Sequence, residues 1–144
     1  MCEYCGCQQN DVIAELTAEH GRLRELGRDL AAAATATDLP AAGRLAAQMR
    51  TVFGPHSQVE EVALFPALEA DFGDQLARLV AEHRYLEVAL SDLASGHPQP
   101  GWPQRTRLAL AHLFDHILKE QDGVFPAALA TLTNADWDLS LIHI

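Results

Sequence analysis

Apolar residues recur along the chain at spacings of three and four, the period of a helix with one buried face. The first such stretch runs from about Asp11 to about Ala34, with Ile13, Leu16, His20, Leu23 and Leu30 on one stripe. The second lies between Pro40 and about Asp71 and aligns Leu45, Met49, Val52, His56, Val59 and Ala63. Gly54-Pro55 falls inside it. A proline there removes a backbone donor, so a kink or break is predicted. The third starts near Asp74, after Gly73, and ends near Ser95-Gly96, with Leu76, Leu79, His83, Leu86, Leu90 and Leu93 on its stripe. The fourth, about Pro103 to about Leu132, carries Leu113, His116, Glu120, Val124 and Ala127. The longest connection, residues 96–101, reads Gly-His-Pro-Gln-Pro-Gly and is rich in helix breakers. Nothing alternates with the period of a strand. The pattern predicts an all-α fold, an antiparallel up-down-up-down four-helix bundle over residues 11–132. Residues 1–10 would be a cysteine-containing segment and 133–144 a tail without clear periodicity.

Composition sharpens this picture. Hydrophobic residues make up 49% of the 144, enough for a real core in one domain. Ala and Leu are abundant and aromatics sparse, which favours helices. Twenty acidic against ten basic residues give a net charge of -10. That argues against a nucleic-acid partner, which needs a basic face, and against an anionic membrane. No apolar run approaches the ~20 residues of a membrane span. The start, Met1-Cys2-Glu3-Tyr4-Cys5, lacks the basic and apolar regions of a secretory leader, so a cytoplasmic location is expected.

The chain repeats itself. Ala18-Glu19-His20-x2-Leu23 returns as Ala81-Glu82-His83-x2-Leu86. His56-x3-Glu60-x4-Phe65-Pro66-Ala67 returns, 60 residues on, as His116-x3-Glu120-x4-Phe125-Pro126-Ala127. Two such helix pairs would pack about an internal two-fold axis. A lone histidine on an apolar stripe is ordinarily a satisfied core residue. A buried, unpaired glutamate is different, because it costs several kcal/mol. His and Glu four apart share one helix face, so His56 with Glu60, and His116 with Glu120, aim at common points. A carboxylate can bridge two cations while an imidazole caps one. The set His20, His56, Glu60, His83, His116 and Glu120 therefore suits two metal ions with vacant positions. Mixed imidazole and carboxylate donors suit iron, with manganese or zinc as alternatives, and the helices carry no cysteine for a thiolate site.

These motifs, Glu19-His20, His56-x3-Glu60-Glu61-x3-Phe65-Pro66, Glu82-His83 and His116-x3-Glu120-x4-Phe125-Pro126, resemble the hemerythrin family in its bacterial cation-binding (HHE) branch. The resemblance implies a non-haem diiron centre, with an oxo or hydroxo bridge, on those same six ligands. Glu60 and Glu120 would be the bridging carboxylates. The chain departs from the oxygen-carrying hemerythrins of marine invertebrates, which pair His-x3-His on the third helix. Here the second of that pair is Glu87, an additional candidate ligand. Fewer histidines leave the metals more open. The reading is thus a diiron protein that reacts with oxygen, peroxide or nitric oxide in oxidative or nitrosative stress, through peroxide- or nitric oxide-reducing activity. Its electron donor is not identifiable from the sequence. The alternative is a store or sensor of iron, oxygen or nitric oxide without turnover.

Other residues are weighed against plainer roles. His112 lies four before His116 but aligns with Val52 in the repeat. His97 and His143 are expected in solvent. Glu61 is turned about 100° from Glu60, which fits the surface or a place behind the ligands. Glu19 and Glu82 either orient neighbours or face solvent. Phe65-Pro66 and Phe125-Pro126 either exclude water from the metals or simply pack a helix end. Cys2, Cys5 and Cys7 are candidate redox thiols. They are too few for a closed tetrahedral metal site, and reactive thiols on a tail are an equal reading. They also resemble, weakly, the cysteine-bearing segment before the diiron domain of some iron-repair relatives.

Overall fold

A computed structural model describes residues 7–131, the first four of these by backbone alone. Every regular element is helical: α1 (Cys7–Thr35), α2 (Leu39–Val59), a π-turn (Glu60–Leu64), α3 (Phe65–Ala94), α4 (Trp102–Lys119), a second π-turn (Glu120–Val124) and α5 (Phe125–Thr131). Phe72 leaves helical geometry (φ -132°, ψ 21°) and divides α3 into two limbs. The short limb prolongs α2 and the long limb is the third stretch seen in the sequence. The arrangement is all-helical and fits a four-helix bundle. α1 packs on α2 and α4, and α3 packs on the same two.

Local chemistry sets the ends of these helices. After α1, Thr37 takes a left-handed turn (φ 54°). The Asp38 N–H then reaches back to the Ala33 carbonyl and the Thr37 N–H to that of Ala34, closing the helix end. Asp38 starts α2 by accepting from the Ala41 N–H at 3.2 Å. Gly96 and Gly101 adopt φ 81° and 84° around the breaker-rich connection, where a side chain would be strained.

At Gly54-Pro55, where a kink or break is predicted, the helix is not broken. α2 runs through Pro55 to Val59. Pro55 removes the donor that would reach the Thr51 carbonyl, but Thr51 is exposed, so water can replace it. α1 begins earlier than the apolar stripe suggested, at Cys7.

The two π-turns were not foreseen. In each, an i to i−5 bond replaces the α-helical one: the Phe65 N–H donates to the Glu60 carbonyl, and the Phe125 N–H to the Glu120 carbonyl. Proline follows at once in both, at Pro66 and Pro126. A π-turn inserts one residue and advances the helix face by that amount. The stripe therefore continues from Glu60 to Leu64, Phe65 and Leu68, not to Ala63. Beyond Glu120, Phe125 and Ala128 are buried, while Val124 and Ala127 are only half-buried. This corrects the stripe expected from unbroken four-residue spacing.

Buried side chains form two apolar clusters. One holds Leu23, Leu30, Met49, Phe53, Leu86, Leu90, Leu113 and Ile117, among others. The other holds Val12, Ile13, Leu16, Leu64, Phe65, Leu68, Leu76, Leu79 and Phe125. Along each of the four helical stretches a histidine or glutamate separates the two, as His20 does between Leu16 and Leu23. A polar layer thus crosses the bundle between two dry cores.

Candidate metal centre

α1 supplies His20, α2 supplies His56, α3 supplies His83 and α4 supplies His116; Glu60 and Glu120 open the two π-turns. All six are buried, and both glutamates have no exposure at all. They form two groups: His20, His56, Glu60 and Glu120, and Glu60, His83, His116 and Glu120. Within each group the donor atoms lie within 4.8 Å of one another. Both carboxylates belong to both groups.

The Nε2 atoms point at the shared carboxylates. His56 Nε2 is 3.2 Å from Glu60 Oε2, and His83 Nε2 is 3.1 Å from Glu60 Oε1. His116 Nε2 is 3.2 Å from Glu120 Oε2 and His20 Nε2 is 2.9 Å from Glu120 Oε1. The Nε2 atoms of His83 and His116 approach to 3.1 Å. Proximity does not satisfy these atoms, because several contacts are misaligned for hydrogen bonding. Both oxygens of Glu60, Oε2 of Glu120 and Nε2 of His56 are buried without a hydrogen-bond partner. Native cores rarely tolerate such orphans, and a cation is a partner these atoms could take. The donor set fits divalent or trivalent first-row metals that accept nitrogen and oxygen.

The charges respond to one another. Burial disfavours a charged His56, but Glu60, then Glu120 and Glu19, outweigh it and push its pKa up to about 12. Burial likewise opposes a charged His116, and Glu120, Glu82 and Glu60 prevail and raise it. Burial would raise the Glu120 carboxyl, yet His116, His20 and His56 hold it well below the usual carboxylate range.

Behind the six, the Nδ1 atoms are all engaged. His56 Nδ1 meets Glu19 Oε1 at 2.8 Å, and His116 Nδ1 meets Glu82 Oε1 at 2.7 Å. His83 Nδ1 meets Glu61 Oε2 at 2.5 Å, and His20 Nδ1 meets Gln121 Oε1 at 3.0 Å. A ring that donates through Nδ1 leaves Nε2 free to bind a metal, and such partners fix its orientation. Arg84 clamps Glu61 at 2.6 and 3.2 Å, and Lys119 holds Glu82 at 2.7 Å. Glu82 consequently sits below its usual range: burial would raise it, but Lys119 and His116 outweigh that. Phe125 stacks on His20 with ring centroids 5.3 Å apart, and Phe65 on His83 at 6.0 Å. These rings are the part of the second apolar cluster that covers the layer on that side.

The sequence carries a signal for these partners. Glu19 and Glu82 each precede a histidine, and Glu61 and Gln121 each follow a shared glutamate. Glu19, Glu61 and Glu82 were candidates among other readings, while Gln121 was missed because it is uncharged.

The remaining candidates lie elsewhere. Glu87 belongs to neither group. Its side chain is 44% exposed and lies 3.8 Å from Arg84 on the solvent side of α3. His112 is exposed and packs edge-on against Tyr85, and His97 is exposed in the connection. Cys2 and Cys5 lie outside the described residues, as does His143, and of Cys7 only the backbone, in α1, is described. Among the described residues no helix is long and apolar enough to cross a membrane.

An all-helical chain with two histidine–glutamate groups sharing their carboxylates belongs to the class of helical metal-binding proteins. Residues 11–128 match the Hemerythrin HHE cation binding domain, and the chain belongs to that family. No curated protein and no solved structure gave a significant match.

Proposed function

We propose that the chain is an antiparallel up-down-up-down bundle, two-fold symmetric between its helix pairs, that holds two iron ions and reacts with oxygen, peroxide or nitric oxide. His20 and His56 would hold one ion and His83 and His116 the other. Glu60 and Glu120 would be shared between them. The observation that carries this reading is the pair of fully buried carboxylates common to both groups, with three of their four oxygens lacking a hydrogen-bond partner. Four protein donors per ion would leave room for a small molecule to bind. Iron bound there would supply the electrons for reducing that molecule.

The chain's own residues do the rest. Glu19, Glu61, Glu82 and Gln121 hold the four rings with Nε2 turned inward. Phe65 and Phe125 keep water from one side. The depth of the layer favours diatomic molecules or peroxide over larger substrates, since no histidine in it is more than 1% exposed.

The test is metal content by plasma mass spectrometry, with the optical spectrum recorded before and after adding oxygen or peroxide. About two irons per chain, with near-ultraviolet absorption that responds to the oxidant, are expected. Glu60→Ala should abolish both. Less than about one metal per chain after iron reconstitution, or inert zinc alone, would sink the proposal. Two irons without peroxide or nitric oxide consumption would leave an iron store or sensor in its place.

A further inference from the structure

The two groups are built from a repeat, yet what stands behind them differs. Around His83 and His116 the rings donate to two carboxylates, Glu61 and Glu82, at 2.5 and 2.7 Å. Around His20 and His56 they donate to one carboxylate, Glu19, and one amide, Gln121, at 2.8 and 3.0 Å. Gln121 occupies the place of Glu61, Gly21 that of Arg84, and Val59 that of Lys119. All three differences fall on the same side.

A carboxylate accepts only, so it admits one tautomer of the ring, the one with Nε2 free for metal. It also draws the Nδ1 proton toward itself, which makes Nε2 a stronger donor. An amide can turn its oxygen or its NH2 to the ring and carries no charge, so it does both jobs less well. Arg84 and Lys119 moderate the charge of Glu61 and Glu82. Both cations are about half exposed, 57% and 47%, so solvent screens their field, whereas in the ring contacts they anchor the rings are buried and the carboxylates partly so. Among the described residues, Glu19 has no Lys or Arg within ion-pair distance.

We propose that Gln121 is a positioning residue that makes the His20/His56 position the weaker of two unequal metal positions, the His83/His116 position filling first. This rests on the two-metal reading above.

The experiment follows the histidine Nε2 signals by 15N NMR while Zn2+ is added to the metal-free full-length chain, with affinities from chelator competition. At one equivalent, His83 and His116 should shift and His20 and His56 should not. Gln121→Glu should tighten the second step by on the order of tenfold and spread the first equivalent over both positions. Gly21→Arg with Gln121→Glu rebuilds the whole Glu61–Arg84 arrangement on the first half. It is the second variant should the single one fold poorly, and a Cβ at Gly21 meets nothing within 4 Å. First filling at His20/His56, equal filling, or an unchanged distribution in both variants overturns the proposal while leaving two metals in place. Failure of the four histidines to shift at two equivalents overturns the two-metal reading itself.

Discussion

His56 holds its proton far more tightly than a free imidazole, and His116 holds its own more tightly, because burial is outweighed by Glu60 for the first and by Glu120 for the second. A metal at Nε2 must displace that proton. Metal affinity therefore rises with pH throughout the range below the raised values, by up to about tenfold per unit for each proton released. The metal-free chain behaves oppositely. The stability contributed by His56 is complete below its ordinary value of 6.5 and declines as pH climbs toward about 12. The contribution of Glu120 is present above 4.5 and is lost as pH falls through its depressed value. Zn2+ competition titrations between about pH 6 and about pH 8, with released protons counted by calorimetry in buffers of different ionisation heat, check the first claim. A flat affinity across that range would contradict it.

At the scale of elements, the wide turns at Glu60 and Glu120 decide where the layer sits. Each lets a shared glutamate and the following phenylalanine both face inward, five residues apart, where an α-helix would turn one aside. Val62 is half exposed at the crest of the first turn. Its removal should let the turn close as α-helix with the flanking faces still in phase. Helical content by circular dichroism should then stay within about a tenth of the unaltered chain, and bound metal should stay near its full amount, because Glu60 and the phenylalanine then lie four apart on one α-helical face. Loss of about half the metal or more would mean that the wide turn does more than keep these faces in phase. The four helical stretches and the six clustered residues were legible in the sequence, because heptad-like spacing and the repeat both report on buried faces. The π-turns were not. Their only trace is Phe-Pro five residues after each glutamate, and a period-based reading carries the stripe straight past it to Ala63 and Val124. Pro55 misled in the other direction, since composition marks a breaker but not whether its orphaned carbonyl faces water. Glu87 became a candidate ligand, or a neighbour of the site, through the His-x3-His pair of the oxygen-carrying relatives, whereas α3 turns it toward Arg84.

For the whole molecule, the polar layer between two apolar cores ties metal occupancy to stability. Buried carboxylates without partners weigh against the metal-free fold, and a ligand that binds only the folded chain adds stability by mass action. At free metal a hundredfold above its dissociation constant, the gain is about 2.7 kcal/mol. For a chain of this size that corresponds to a rise in thermal midpoint on the order of 10 °C. Differential scanning calorimetry with and without chelator measures it. Glu60→Ala should show no such rise, and an equal rise in that variant would place the stabilising metal elsewhere.

The crossing of the contacts between the halves has a consequence for how the chain can change over time. His20 in the first helix pair leans on Gln121 and Glu120 in the second, and His83 in the second leans on Glu61 and Glu60 in the first. One helix pair carries too few donors for either group and would need a second copy of itself. In such a pairing of copies every substitution appears twice, so both ends of the layer must stay alike. Joined through the bend at Phe72, the two halves carry separate codons for the same structural role. Inheritance can then place an amide at 121 while keeping a carboxylate at 61, a freedom closed to any ancestor that assembled from identical parts.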